Sequence, residues 1–178
     1  MECIKIFPEI ELIEDKGLRD KVQKVWKKAM EVGGWKNDDL FRMPFTLLIP
    51  QTRVSLVEHT RAVAKCALKI AEVLQYAYKD MRIKKDYLIA GALLHDVGKL
   101  LEYKDSRNGF KKSVHGNLLR HPVLGANLAS ACNLPAEIVH IIYTHSKEGD
   151  LYRRTVESII IHHSDFVNFE PLKIQNNG

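Results

Sequence analysis

The chain has 178 residues, 46% of them hydrophobic and 28% charged, with a formal net charge of +5. That length suits one domain with a real core and is short for two, and the composition excludes a disordered or fibrous chain. The excess of 27 basic over 22 acidic residues favours anionic ligands in general. It is spread along the sequence, so nucleic acid is possible as a partner but not indicated.

Residues 1 to 15 are short apolar pieces broken by Pro8 and acids, which predicts an arm lying on the domain. The segment Met1 to Pro8 has no apolar run of signal-peptide type. Cys3, Cys66 and Cys132 form no CxxC pair and leave an odd cysteine over, which suits a reducing compartment. A cytoplasmic protein without a membrane partner is expected.

Leu18, Val22, Val25, Ala29 and Val32 advance by three and four, which predicts an amphipathic helix ended by Gly33-Gly34. Lys24, Lys27 and Lys28 would form its solvated face. Trp35 to Thr52, with Pro44 and Pro50, reads as an irregular connection or a short helix. The clearest helix is Ser55 to Tyr78, with Leu56, His59, Val63, Cys66, Ile70, Val73 and Ala77 as its inward stripe. His59 therefore faces the core, where a lone histidine is more often a packed residue than a ligand. Cys66 is expected to pack, since thiolate ligation would need another sulfur nearby.

Leu88 to Leu94 is uncharged, too short to cross a membrane and apolar on every side, which predicts a helix in the middle of the protein. Asp86 can cap its start, and Gly98 suits a left-handed helix-ending residue. His95 and Asp96 would close this helix, where the carbonyl ends favour a bound cation. A buried helix has no structural need for His-Asp at its mouth, so the doublet points to chemistry.

Leu100 to Val114 is charged and contains glycine, and reads as a surface loop. In His121-Pro122, the proline marks a helix start. After Asn133-Leu134-Pro135, Ile138, Ile141, Ile142 and His145 share one helix face while His140 falls off it. Thr155 can cap a last segment carrying Ile159-Ile160-Ile161-His162-His163-Ser164-Asp165. Its three β-branched residues leave a strand open as an alternative. Gln175 to Gly178 is expected to fray.

His95-Asp96-Val97-Gly98-Lys99, with His59 before it and His121, His145 and Asp165 after it, resembles the HD-domain superfamily of metal-dependent phosphohydrolases over residues 52 to 170. The resemblance implies an all-α fold, a bundle of about six to eight helices, and decides for helix in the last segment. Residues 1–51 would be an N-terminal helical extension of a single HD domain and 52–170 its metal-binding core. It implies a metal position made by His59, His95, Asp96 and Asp165, and a second supplied by His121 and His145, with Asp96 as the bridge. His115 is a rival to His121 that lacks the surrounding motif, and His162 is placed to support the ligands. Imidazole and carboxylate donors without sulfur suit two divalent transition ions, Mn, Fe, Ni, Co or Zn, better than Mg.

Such a site implies hydrolysis of a small phosphoester, a phosphodiester or nucleotide, by a metal-activated hydroxide between ions about 3.5–4 Å apart. Asp96 and Lys99 are the candidate catalytic residues. Lys99 would set its ammonium against a phosphoryl oxygen or the leaving alkoxide, with a solvated lysine as the plain alternative. Arg61, Arg120 and Lys147 stand within two residues of expected ligands and are candidates to hold phosphate. Some relatives with the same ligand order are di-iron oxygenases of small polar substrates, which is the alternative activity. A catalytically dead regulatory domain would lack ligands, and none is missing. Ser146-Lys147-Glu148-Gly149 after His145 departs from the motif of the cyclic-dinucleotide members, which speaks against that substrate. Oligomeric state is not legible.

Overall fold

The computed structural model describes residues 3–176. Its N-terminal arm is α1 (Cys3–Ile6) and a 3₁₀ turn, Pro8–Leu12. Phe7, Ile10 and Ile13 are fully buried, and Phe7 stacks on Trp26 with ring centroids 4.5 Å apart. The arm thus contributes to the core instead of merely lying on it. In α2 (Lys16–Gly33), Asp15 caps the start by accepting from the Leu18 N–H. Gly34 ends the helix at φ +74°, the left-handed conformation that costs glycine least. Val32, expected inward, is exposed, and Trp26 and Met30 are buried in the core with Val22 and Val25.

After α3 (Asn37–Arg42), residues 43–55 have no regular structure beyond a bridge between Pro44 and Ser55. A capping box then starts α4 (Leu56–Ala77): Ser55 Oγ accepts the Glu58 N–H, and the Glu58 carboxylate accepts the Ser55 N–H. Leu56, His59 and Val63 are buried as expected, but Val73 at the far end is 65% exposed. The expected stripe stepped by 3.5 residues on average, whereas an α-helix repeats every 3.6. That mismatch amounts to a drift of about 20° per heptad, too little to turn Val73 outward. The helix runs past the core, and no residue of α4 beyond Ala71 is buried.

Helix α5 (Lys85–Leu94) is the central one, with Leu88 to Leu94 all buried. Each fully buried Leu or Ile contributes about 1.5–3 kcal/mol, so this segment anchors the core. Asp86 does not cap it. That carboxylate instead accepts the N–H groups of Glu14 and Asp15 at 3.0 and 2.9 Å, tying the arm to α5. Residues 95–98 turn directly into α6 (Lys99–Glu102), where a surface loop was expected. Gly98 has φ −65°, so its role is space, not handedness. A Cβ there would lie 2.1 Å from the His121 carbonyl oxygen and 2.5 Å from the Gly125 nitrogen.

A hairpin follows, β1 (Tyr103–Ser106) antiparallel to β2 (Gly109–Lys112), with Tyr103 opposite Lys112. Then come α7 (Val114–Leu118), α8 (His121–Ala131), α9 (Ala136–Thr144) and α10 (Val156–Asn176). Thr155 Oγ1 accepts the Ser158 N–H at the start of α10, and Ile159 to Ile161 are helical. Of the expected frayed end, Gln175 and Asn176 belong to α10; Asn177 and Gly178 lie outside the described residues.

The fold is an all-α bundle decorated by one small hairpin. Helix α5 packs against α2, α4, α9 and α10, and α8 lies against α6 and α9. No helix among the described residues is long and apolar enough to cross a membrane.

Candidate metal centre

Three helix ends and two helix interiors meet over Asp96. His95 follows the last residue of α5, and His145 follows the last residue of α9. In each case the ring Nδ1 bonds the carbonyl three residues earlier, Ala92 or Ile142, at 2.7 Å. Those carbonyls have no intrahelical partner at a helix end, and using them turns Nε2 away from the helix. His59 comes from the inward face of α4 and Asp165 from α10. His121 begins α8, which the Gly98 contact presses against the Asp96 turn.

The Nε2 atoms of His59 and His95 lie 3.5 and 3.3 Å from Asp96 Oδ2. Those of His121 and His145 lie 3.2 and 3.8 Å from Oδ1 of the same carboxylate. Asp165 Oδ1 joins the first pair, 3.0 Å from His59 Nε2 and 3.9 Å from His95 Nε2. Two trios therefore share Asp96, His59–His95–Asp96 and Asp96–His121–His145, each with donor atoms close enough to hold one cation. His95 Nε2 is fully buried without a hydrogen bond of acceptable geometry, a loss that a bound cation would relieve.

Electrostatics point the same way. Burial pushes the His59 and His121 imidazoles below their usual range, against the opposite pull of Asp165 on the first and Glu102 on the second. At His95 burial acts likewise, but the Asp96 and Asp165 carboxylates outweigh it and raise the ring. Burial would raise Asp96, yet the Lys99 ammonium and His95 hold it well below the carboxylate range. Asp165 is lowered despite burial by its bond to His59. Imidazoles kept neutral by burial at His59 and His121, beside ionised carboxylates and with no sulfur, are a fitting donor set for a divalent transition metal.

Lys99 is 6% exposed and is not a solvated lysine. Its Nζ lies 2.6 Å from Asp96 Oδ2 and also donates to the Phe45 carbonyl. The other candidates separate. His115 is exposed, away from the cluster, and Arg61 bonds Glu9 at 3.0 Å. His162 supports from behind, its Nδ1 donating to the His145 carbonyl at 2.6 Å. Arg120 and Lys147 line a cavity of about 300 Å³ that opens over Asp96, Lys99, His121 and Asp165.

Phe45, Phe166 and Phe169 form the apolar wall of that cavity, with Phe45 packed on the His59 ring at 4.5 Å between centroids. Sequence reading had not singled out these rings, nor Glu102. Phe166 and Phe169 had a legible signal, one and four residues beyond Asp165 on one helix. Phe45 had none, because it reaches the site from an irregular segment.

Residues 56–167 match the HD domain. The chain belongs to the HD-domain family. It is also 34% identical over 111 residues to a protein of Methanocaldococcus jannaschii named dihydroneopterin 2′,3′-cyclic phosphate phosphodiesterase. The match covers 62% of this chain and 44% of that protein, so it spans less than half of the relative's length. No solved structure gives a significant match. In this HD domain, the His-Asp doublet of the family name is His95-Asp96, and it stands where the two trios meet.

Proposed function

We propose that this HD domain is a metal-dependent phosphohydrolase that cleaves a small phosphodiester, using two divalent transition ions (Mn, Fe, Ni, Co or Zn) held by His59, His95, Asp96, His121, His145 and Asp165. The observation that carries this reading is the division of the Asp96 carboxylate, one oxygen facing each trio. Two ions bound there would supply an acidified water and offset the charge of a phosphoryl group undergoing in-line displacement. Lys99 adds a buried positive charge beside Asp96, and Lys147 stands on the cavity wall with Arg120, whose guanidinium is paired with Glu102 and Glu148. The volume of about 300 Å³ lies at the small end of ligand pockets, which favours a compact substrate. The relative named as a cyclic phosphate phosphodiesterase supports a 2′,3′-cyclic phosphate as the first substrate to try.

Protein purified without oxygen should hydrolyse such a cyclic phosphodiester, lose the activity on chelation and regain it with Mn²⁺. Oxygen uptake on adding a small polar substrate, with no phosphoester cleaved, would replace this reading with the di-iron oxygenase alternative. The second cation position has its own test. His121→Ala combined with His145→Ala should halve the bound metal measured by elemental analysis, with the helical circular dichroism unchanged. Full stoichiometry in that double variant would remove both residues from the ligand set.

A further inference from the structure

The three histidines at helix ends solve one problem in two ways. His95 and His145 sit at the C-terminal ends of their helices, where unpaired carbonyls are at hand to accept from Nδ1. His121 sits at the N-terminal end of α8, where the unpaired backbone groups are N–H donors and no such carbonyl exists. Its ring needs an acceptor brought from elsewhere.

Glu102 brings it. This last residue of α6 is 2% exposed. Its Oε2 accepts the His121 backbone N–H at 2.7 Å and faces His121 Nδ1 at 2.8 Å. The Arg120 Nε lies 3.2 Å from Oε1, a partner that keeps the carboxyl ionised and therefore an acceptor only. The shared proton must then reside on Nδ1, which leaves Nε2 as a lone pair, 3.2 Å from Asp96 Oδ1. Glu102 and Lys99 are three apart on one turn of helix, so α6 presents one residue to Asp96 and the other to His121.

We propose that Glu102 is a positioning residue, which fixes the tautomer and orientation of His121 and so completes the second cation position. This rests on the two-cation reading above. The proposal is separable from a plain helix cap: a cap needs only the backbone N–H bond, whereas a positioning carboxylate also sets which ring nitrogen carries the proton.

Two variants and two measurements test it. In metal-free protein at a pH that keeps the imidazoles neutral, long-range ¹H–¹⁵N spectra report each histidine's tautomer, with His121 assigned by loss of its signals in His121→Gln. Wild type and Glu102→Gln, which retains an accepting oxygen, should show His121 protonated at Nδ1; Glu102→Leu should shift it toward Nε2–H. Mn²⁺ titration followed by electron paramagnetic resonance should show the second equivalent weakened by about 10- to 100-fold in Glu102→Leu and nearer to wild type in Glu102→Gln, with the first unchanged in both. An unmoved tautomer or an unchanged second-ion affinity in Glu102→Leu overturns the proposal, as does a wild-type His121 protonated at Nε2, the result that decides if the leucine protein does not fold. A wild-type protein that takes up one equivalent overturns the two-cation reading instead, and the tautomer comparison then judges Glu102 alone.

Discussion

Asp96→Ala should abolish binding of both metal equivalents and bring phosphodiester hydrolysis to background. Among the described residues Asp96 is the one that belongs to both trios, with Oδ2 toward His59 and His95 and Oδ1 toward His121 and His145. Removing it takes one donor from each position and also the negative charge that would separate two cations. The metal-free protein should be weakened as well, because the Lys99 ammonium would stay buried with the Phe45 carbonyl as its hydrogen-bond acceptor. Loss of one member of a buried ion pair costs about 3–5 kcal/mol, which urea unfolding of the chelated protein would read. Asp96→Asn keeps the shape and should still lose the metal. Normal metal content in Asp96→Ala would discard the bridging geometry and the hydrolytic reading built on it.

Lys99→Ala should do the opposite to the metal. Lys99 is assigned no ion, so both equivalents should remain while kcat falls by roughly 10²–10³, the loss expected when one preorganised electrostatic donor is removed. KM should change less than kcat, since a charge meeting the transition state acts mainly on the chemical step. The structure strengthens the case for Lys99 and complicates it. The ammonium is buried and lines the cavity, yet it already bonds Asp96 at 2.6 Å. Elemental analysis separates the two roles. Loss of metal in Lys99→Ala would make the lysine a partner of Asp96 first, and an unchanged rate would remove it from the catalytic machinery.

How much of this was legible in the sequence differs from element to element. Seven uncharged residues in a row, Leu88 to Leu94, could only be a buried segment, and it is buried throughout. The inward phase of His59 and His145 could be read because both lie within a short distance of well-marked helix starts, before any error in the assumed repeat accumulates. The same reading failed at Val73, four turns further along α4, because that end of the helix runs past the core and nothing in it beyond Ala71 is buried.

Local signals also named the wrong reason for a right residue. Glycine after His95-Asp96-Val97 looks like a helix terminator, because the sequence reports only that a side chain is absent. The structure assigns it a different cause, the close approach of the His121 and Gly125 backbone. Asp86 has the composition of a cap and the position of one, yet its carboxylate serves the N-terminal arm. A capping bond needs only a nearby N–H, and which N–H is nearest depends on how distant segments pack.

The sequence by itself, through its helical periods and its resemblance to the HD-domain superfamily, pointed to an all-α protein and to six imidazole and carboxylate side chains in a set order, with helical phase also choosing His59 and His145. The resemblance already implied how the ligands divide. Only the tertiary structure decided that one Asp96 oxygen would face His59 and His95 and the other His121 and His145, that Phe45 would close one wall, and that Glu102 would be buried. Contacts of this kind join residues 19 to 106 positions apart. Helical periodicity carries information over a few turns, and contacts at that separation are set by which buried faces fit together.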